Sequence, residues 1–258
     1  MPTAAEPDPY TAVWHADGGP FYAETDMNRL IKEPFNAASA LLFLLLVAVW
    51  VVRLRGRWRH YPFLTACLPL LAAGGVGGTL YHALRAARWM LLLDVVPISL
   101  LAMALSLFLW ARLRAAWWQL PILASLYGLV PAMEWLLPIH QAINATYLII
   151  AVLVLGPVAL YLLRTGGQHA GWVLAALGLF LIAAWFRNAD AWRPPLLPMG
   201  THWLWHVFGA ACTACLAEFI YRVESADRPT APAPAPTPPV AAPAAAPAQS
   251  AVDAGPSR

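Results

Sequence analysis

The chain has 258 residues, of which 60% are hydrophobic and only 11% are charged. A water-soluble globular domain usually carries about 25% charged residues, so this composition excludes that class. The formal net charge is only +3, and in so apolar a chain this argues against a basic surface that binds nucleic acid.

Residues 1–33 are polar and mixed, and we expect them to lie outside the membrane. They contain no basic start followed by an apolar core, so we predict no cleavable signal peptide. A membrane-spanning helix needs about 20 predominantly apolar residues. Seven runs meet this requirement, at 34–53, 63–84, 89–111, 117–137, 141–163, 171–187 and 201–222. The sequence therefore predicts an all-α membrane protein, with a seven-transmembrane helix bundle over residues 34–222.

Residues 223–258 are rich in proline and alanine and nearly uncharged, a composition typical of a disordered tail. Basic residues concentrate in the loops after the odd-numbered spans. They are Arg53, Arg55, Arg57, Arg59, Arg112, Arg114 and Arg164, whereas the opposite loops carry Arg85, Arg88, Arg187 and Arg193 and the N-terminal segment carries Arg29 and Lys32. By the positive-inside rule these loops and the C-terminal tail are cytoplasmic and the N-terminus lies outside. We expect a multi-pass protein integral to the cell membrane.

Polar side chains inside lipid are costly and usually functional. The spans contain few of them, and most fall at the predicted outer end. They are Glu33, Asn36 and Ser39 at the first span, His82 at the end of the second, Asp94 in the third, and His202 and His206 at the start of the seventh. At 1.5 Å per residue, Asp94 lies about 7 Å below the outer boundary. Convergence at one depth predicts a single site.

His202 and His206 are four residues apart, so they share one face of a helix. Two such imidazoles can bind one metal ion, and His82 would be a third ligand. Three histidines with an open fourth position are typical of catalytic zinc. Asp94 would act as a base toward the bound water or orient a ligand histidine. The alternative is that the histidines are ordinary hydrogen-bonded structural residues.

Three stretches together resemble the alkaline ceramidases, which belong to a wider superfamily of seven-helix membrane hydrolases that includes the adiponectin-receptor-like proteins. The stretches are "KEPFNAAS" (32–39), "GGTLYHALRAARWMLLLDVVPI" (77–98) and "GTHWLWH" (200–206). The resemblance implies zinc held by His82, His202 and His206, with Asp94 as the helix-3 aspartate. It also matches Glu33, Asn36 and Ser39 to the pattern E-x-x-N-x-x-S of the first helix.

The resemblance further implies a calcium ion near the zinc site, because the glutamate corresponding to Glu33 helps hold one in the animal enzymes. Glu24 and Asp26 would contribute from the preceding loop, although Phe21 stands where an aspartate is expected. The alternative for Glu24 and Asp26 is a solvated surface loop.

This sequence also departs from the family at one position near the first histidine. Gly78 stands where the family usually has a serine that can assist the reaction. Thr79 is the neighbouring hydroxyl that could replace it, although one residue turns a helical side chain by about 100°.

The function implied is zinc-dependent hydrolysis of the amide of ceramide or a related N-acyl lipid, which releases a fatty acid and a long-chain amine. One alternative is a non-catalytic receptor-like protein on the same scaffold. A second is a metal or proton transporter, which should show polar residues at several depths. A third is a haem protein that uses His82 and one of the other two histidines.

Overall fold

A computed structural model describes residues 17–114, 136–137, 139–192 and 194–227. Across these ranges the regular elements are all helical. The six α-helices are α1 (Pro34–Leu54), α2 (Pro62–Leu84), α3 (Arg88–Arg112), α4 (Ile139–Arg164), α5 (Ala170–Ala189) and α6 (His202–Ala226), and a short 3-10 helix covers Trp58–His60. Each of the six α-helices includes a stretch long and apolar enough to cross a membrane.

The prediction of an all-helical, multi-pass membrane protein is therefore confirmed for the part of the chain that the structure describes. The helix bounds agree with six of the seven predicted spans, although α6 continues to Ala226. The remaining predicted span, 117–137, lies outside the described residues except at its last two positions. Residues 228–258 of the predicted tail also lie outside them.

Several helices begin where a distant carboxylate accepts their free N–H groups. The first N–H groups of a helix have no partner within it, and a buried helix end needs one from elsewhere. Glu24 caps α1, Glu224 caps α2 and Asp190 caps α6. Each of these three accepts two backbone N–H groups at 2.5 to 3.1 Å. A negative charge also interacts favourably with the N-terminal end of a helix.

The helices pack mainly in the pairs α1–α2, α2–α3, α3–α4, α5–α6 and α1–α6. The main apolar core lies at the end of the bundle where α1 ends and α2 begins. Its most buried members include Leu54, Tyr61, Leu109, Phe219 and Val223. The opposite end, where the segment from residue 17 to residue 33 joins α1, holds most of the buried polar side chains.

The crossing of α2 over α3 depends on Gly77. A β-carbon added at this position would overlap the backbone of Leu93 and Asp94. Small residues allow helix backbones to approach this closely in membranes. This close contact places α3 against the part of α2 that immediately precedes His82.

We predict that Gly77→Ala destabilises the protein by about 1–3 kcal/mol, because the added methyl group forces α2 and α3 apart. Thermal unfolding of the purified protein in detergent measures the change. Gly178→Ala is the matched control, since a β-carbon there meets no described atom within 4 Å. Equal unfolding midpoints for the two variants would contradict the packing role of Gly77.

Candidate metal centre

Three buried histidines come together where α2 ends and α6 begins. His82 lies in the last turn of α2, while His202 and His206 occupy the first turns of α6. Each offers one ring nitrogen, and the three nitrogens lie within 4.8 Å of one another. The ring centroids are 4.9 to 5.3 Å apart. This group could hold a metal ion, as the spacing in the sequence predicted.

The hydrogen bonds of His82 and His206 leave one nitrogen of each ring available for a metal. His82 Nδ1 lies 2.5 Å from Glu33 Oε2, and His206 Nδ1 lies 3.1 Å from the backbone oxygen of Asn36. An ionised carboxylate and a carbonyl only accept hydrogen bonds, so each Nδ1 carries the proton. Each Nε2 then holds a lone pair, which is the form that binds a metal.

Two of the histidine nitrogens have no hydrogen-bond partner although they are buried. They are His82 Nε2 and His202 Nδ1. A buried polar atom without a partner costs stability and calls for an explanation. The imidazole ring of His202 is held by Tyr22, which stacks on it with centroids 3.8 Å apart. The unpartnered nitrogens and the neutral donor set fit a transition-metal ion of the zinc type.

Glu33 is the carboxylate that orients this site. It is fully buried, and its second oxygen, Oε1, accepts from Arg85 Nη1 at 2.7 Å and from the hydroxyl of Thr25 at 2.5 Å. Burial raises the pKa of Glu33, but the hydrogen bonds from His82 and Arg85 and the charge of Arg85 outweigh it and hold the pKa below its usual range. Glu33 is therefore ionised at neutral pH, which keeps the Nδ1 proton on His82.

Arg85 is the cation that balances Glu33. Its guanidinium is buried and also donates to Asp17 at 2.6 and 3.1 Å, to the backbone oxygen of Pro20 at 2.7 Å and to that of Gly19 at 3.3 Å. These ion pairs raise the pKa of Arg85 despite its burial. These contacts hold residues 17–33, the segment before α1, against the histidine end of the bundle.

The predicted calcium ligands Glu33, Glu24 and Asp26 already have protein partners. Glu24 caps α1, and Asp26 accepts from the backbone of Asn28 and pairs with Arg29 in a half-exposed turn. The solvated-loop alternative is wrong for Glu24, which is only 6% exposed. The calcium site stays a prediction, and these contacts do not favour it, because Arg85 already supplies the cation beside Glu33.

The residues of the first helix that the sequence assigned to the site adjoin His206. Ser39 Oγ lies 2.9 Å from His206 Nδ1 and donates to the backbone oxygen of Asn36 at 3.0 Å. The Asn36 side chain donates to Glu33 Oε2 at 3.2 Å. Both residues therefore support the ligand histidines rather than reaching the open side of the group.

Asp94 lines a cavity of about 200 Å³ together with His202 and His206. A β-carbon added at Gly78 would lie 2.8 Å from Asp94 Oδ1, so the missing side chain makes room for this carboxylate. The Thr79 hydroxyl instead donates to the backbone oxygen of Gly75, one turn earlier in α2, at 2.8 Å. Gly78, and not Thr79, adjoins Asp94, and the catalytic role of Thr79 stays a prediction without support from these contacts.

Sequence reasoning missed several residues that build the site. Arg85 had been counted among the loop charges, and nothing near it in sequence marks its partners, Asp17 and Glu33. Asp190 fixes the start of α6 by accepting from the backbone of Thr201 at 2.6 Å and of His202 at 3.0 Å. No local motif marks Asp190 either. These contacts join residues far apart in the chain, where periodicity gives no signal.

No protein-family model matches the chain, and no curated protein matches it significantly in sequence. The resemblance to the alkaline ceramidases stays a prediction.

We predict that Arg85→Gln destabilises the protein by about 3 kcal/mol or more, because it leaves two buried carboxylates without their cation. Thermal unfolding in detergent reports the loss, and titration with zinc reports a weaker site because Glu33 no longer holds His82 in place. Arg29→Gln is the control, since Arg29 pairs with Asp26 on the exposed surface. An Arg85→Gln protein as stable as the Arg29→Gln protein would refute this role.

We also predict that Gly78→Ala reduces the proposed amide hydrolysis by about tenfold or more, while zinc binding stays near that of the unaltered protein. The added β-carbon displaces the Asp94 carboxylate but reaches none of the three histidines, and small misplacements of a reacting group are costly. Amide hydrolysis and metal analysis on one preparation check the two parts. Unchanged hydrolysis would show that the position of Asp94 does not depend on this glycine.

Proposed function

We propose that this chain is a zinc-dependent intramembrane amide hydrolase of the alkaline ceramidase type. Its substrate would be ceramide or a related N-acyl lipid, and its products a fatty acid and a long-chain amine. One observation carries the proposal. Three histidine nitrogens converge between membrane-length helices, and two of those histidines line a cavity together with Asp94.

His82, His202 and His206 would hold the metal. When bound, a zinc ion in a three-histidine site polarises a carbonyl group and lowers the pKa of water from 15.7 to about 7. Other residues of the chain would orient the three histidine rings. Glu33 fixes the tautomer of His82, the Asn36 carbonyl fixes that of His206, and Tyr22 holds the ring of His202.

Asp94 would move the proton. No hydrogen bond is found for its carboxylate among the described residues, in contrast to Glu33, Glu24 and Asp190. It would accept a proton from the attacking water as the new carbon–oxygen bond forms, and then deliver that proton to the amide nitrogen as the carbon–nitrogen bond breaks. One water is consumed, and a carboxylic acid and an amine leave.

The cavity suits a lipid amide. Its wall combines the histidines and Asp94 with apolar side chains from α1 to α4, including Phe43, Leu71, Leu101 and Ile150. An acyl chain would lie against these side chains while the amide stays near the histidines. Ligand pockets typically combine such an apolar lining with a few convergent polar groups.

We also propose that the bundle has seven helices, with 117–137 as the additional one. Arg164, at the end of α4, donates to the backbone oxygen of Leu113 at 2.6 Å, just beyond the end of α3. Asn144, near the start of α4, donates to Asn188 at the end of α5 at 2.7 Å. These contacts indicate that α3 and α4 run in the same direction, which supports one additional crossing between them.

The proposed orientation places the histidines at the outer face of the cell membrane. Arg53, Arg55, Arg57 and Arg59 follow α1 at the end opposite the histidines, and α3 and α4 end there with further arginines. Arg85 lies at the histidine end, but it is buried and paired with carboxylates. Arg88 and Arg187 also lie at that end, so the orientation is supported by the larger number of arginines at the far end.

A transporter is the alternative that the structure favours least. Glu218 and Glu224 are buried at the far end of α6, but Glu218 pairs with Arg53 and Arg222, and Glu224 caps α2. The apolar core lies beside them. A receptor-like protein on the same scaffold would bind zinc without turning over an amide.

We predict that His206→Ala removes both zinc and hydrolysis, whereas Asp94→Asn keeps zinc and lowers kcat by about 10²–10⁴-fold, the usual contribution of a general acid–base group. Zinc is measured by elemental analysis of the purified protein and hydrolysis with labelled N-acyl lipids. His60→Ala is the control, because His60 is exposed at the opposite end. Full hydrolysis by His206→Ala would sink the proposal, and zinc-loaded protein without turnover would favour the receptor alternative.

A further inference from the structure

We propose that Arg187 binds an anionic group on the amine side of the substrate, so that the preferred substrate is an N-acyl compound carrying a carboxylate or phosphate close to its amide. This inference rests on the proposed amide hydrolysis and narrows its substrate class, because ceramide itself is neutral.

Arg187 forms no salt bridge with any described residue, although its charge acts on the Asp94 carboxylate in the same cavity. It lies in the last turn of α5, its Nε is buried, and that atom has no hydrogen-bond partner. Its guanidinium packs over the rings of Tyr147 and Trp205, at 5.4 and 5.6 Å from their centroids. Among the described residues, no carboxylate lies within ion-pair distance of it.

Two other arginines of the bundle that are buried or partly buried form salt bridges with carboxylates. Arg85 pairs with Asp17 and Glu33, and Arg112 pairs with Asp227. Asp190 is close to Arg187 in sequence, but its oxygens accept from the backbone of Ala23, Thr201 and His202. A charge held in a membrane-spanning helix without a partner is costly and usually marks a functional site. A ligand anion would remove that cost.

Arg187 shares the cavity of the histidines. It lines that cavity together with His202, His206 and Asp94, and it lines a smaller adjoining one with Tyr22. Tyr22 in turn stacks on His202. The guanidinium is therefore placed to meet a substrate whose amide lies at the histidines.

The cavity has a cationic end and an apolar end. Arg187, at the end of α5, and Arg88, at the start of α3, line it at the histidine end of the bundle, whereas Leu70, Leu71 and Leu101 line it towards the middle of α2 and α3. An acyl chain would lie against the leucines. The amine part then faces Arg187, whose planar fork of donors matches carboxylate and phosphate oxygens.

The test compares four substrates with the same acyl chain. They are N-oleoyl glycine, which has a carboxylate, N-oleoyl phosphoethanolamine, which has a phosphate, N-oleoyl ethanolamine, which is neutral, and oleoyl ceramide. We expect kcat/KM for the better anionic substrate to exceed that for N-oleoyl ethanolamine by about 100-fold or more, because a site built for a charged partner rejects an analogue that lacks it. Whichever anion is preferred identifies the headgroup.

In Arg187→Gln this preference should fall to within about threefold, and Arg187→Lys should restore part of it, because lysine keeps the charge but not the fork. Arg29→Gln is the matched control, since Arg29 lies on the exposed surface, and its preference should stay as in the unaltered protein. An unaltered protein that hydrolyses neutral and anionic substrates equally would overturn the inference and leave the proposed hydrolysis intact.

If none of the four substrates is hydrolysed, a binding measurement tests the anion site at Arg187 separately from the proposed hydrolysis. Equilibrium binding of labelled N-oleoyl glycine and N-oleoyl ethanolamine is measured on the full-length protein before and after treatment with EDTA. Tighter binding of the anion in both states, lost by about tenfold or more in Arg187→Gln, would support the anion site even if hydrolysis fails. Equal binding by the unaltered and Arg187→Gln proteins would overturn it.

Discussion

The carboxylate of Glu33 joins three parts of the chain that are otherwise separate at the histidine end of the bundle. It precedes α1, it orients His82 at the end of α2, and through Arg85 it holds the segment that begins at Asp17. An ionised carboxylate in an apolar interior is stable only when it is paired and hydrogen-bonded. Glu33 has four such partners at 2.5 to 3.2 Å. The geometry of the metal site therefore depends on the same ion pair that closes this end of the bundle.

This arrangement divides the buried acids of the histidine end into two kinds. Glu33, Glu24 and Asp190 have their oxygens engaged by protein donors, and two of them cap the helices that carry Asn36, His202 and His206. They hold the site in place. Asp94 is different, because Gly78 makes room for its carboxylate in the cavity and the described residues give it no hydrogen bond. The fixed acids supply rigidity, which leaves Asp94 as the group suited to proton transfer.

Much of this fold could be predicted from the sequence, because lipid imposes one rule on every span. A run of about 20 apolar residues is a helix, and alternating helix directions assign a depth to each polar residue. Those two steps were enough to bring His82, His202, His206 and Asp94 together. They could not reveal Arg85 or Asp190, whose partners lie far away in the chain. They also gave no reason to expect Glu24 as a helix cap. Such pairings follow from tertiary packing and leave no periodic trace.

The contrast between the two ends of the bundle explains how the histidine end can keep groups without partners. At the far end, apolar side chains form a continuous core, and Glu218 and Glu224 are fully engaged. That packing stabilises the bundle as a whole and leaves some stability to offset costs elsewhere. At the histidine end, two buried imidazole nitrogens and the Nε of Arg187 are among the atoms without a partner, and Trp110 Nε1 and Arg112 Nε near the far end also lack one. His202 and Arg187 line one cavity, and the ring of His82 lies beside that of His202. The proposed metal ion and the proposed anion would each give some of these atoms a partner.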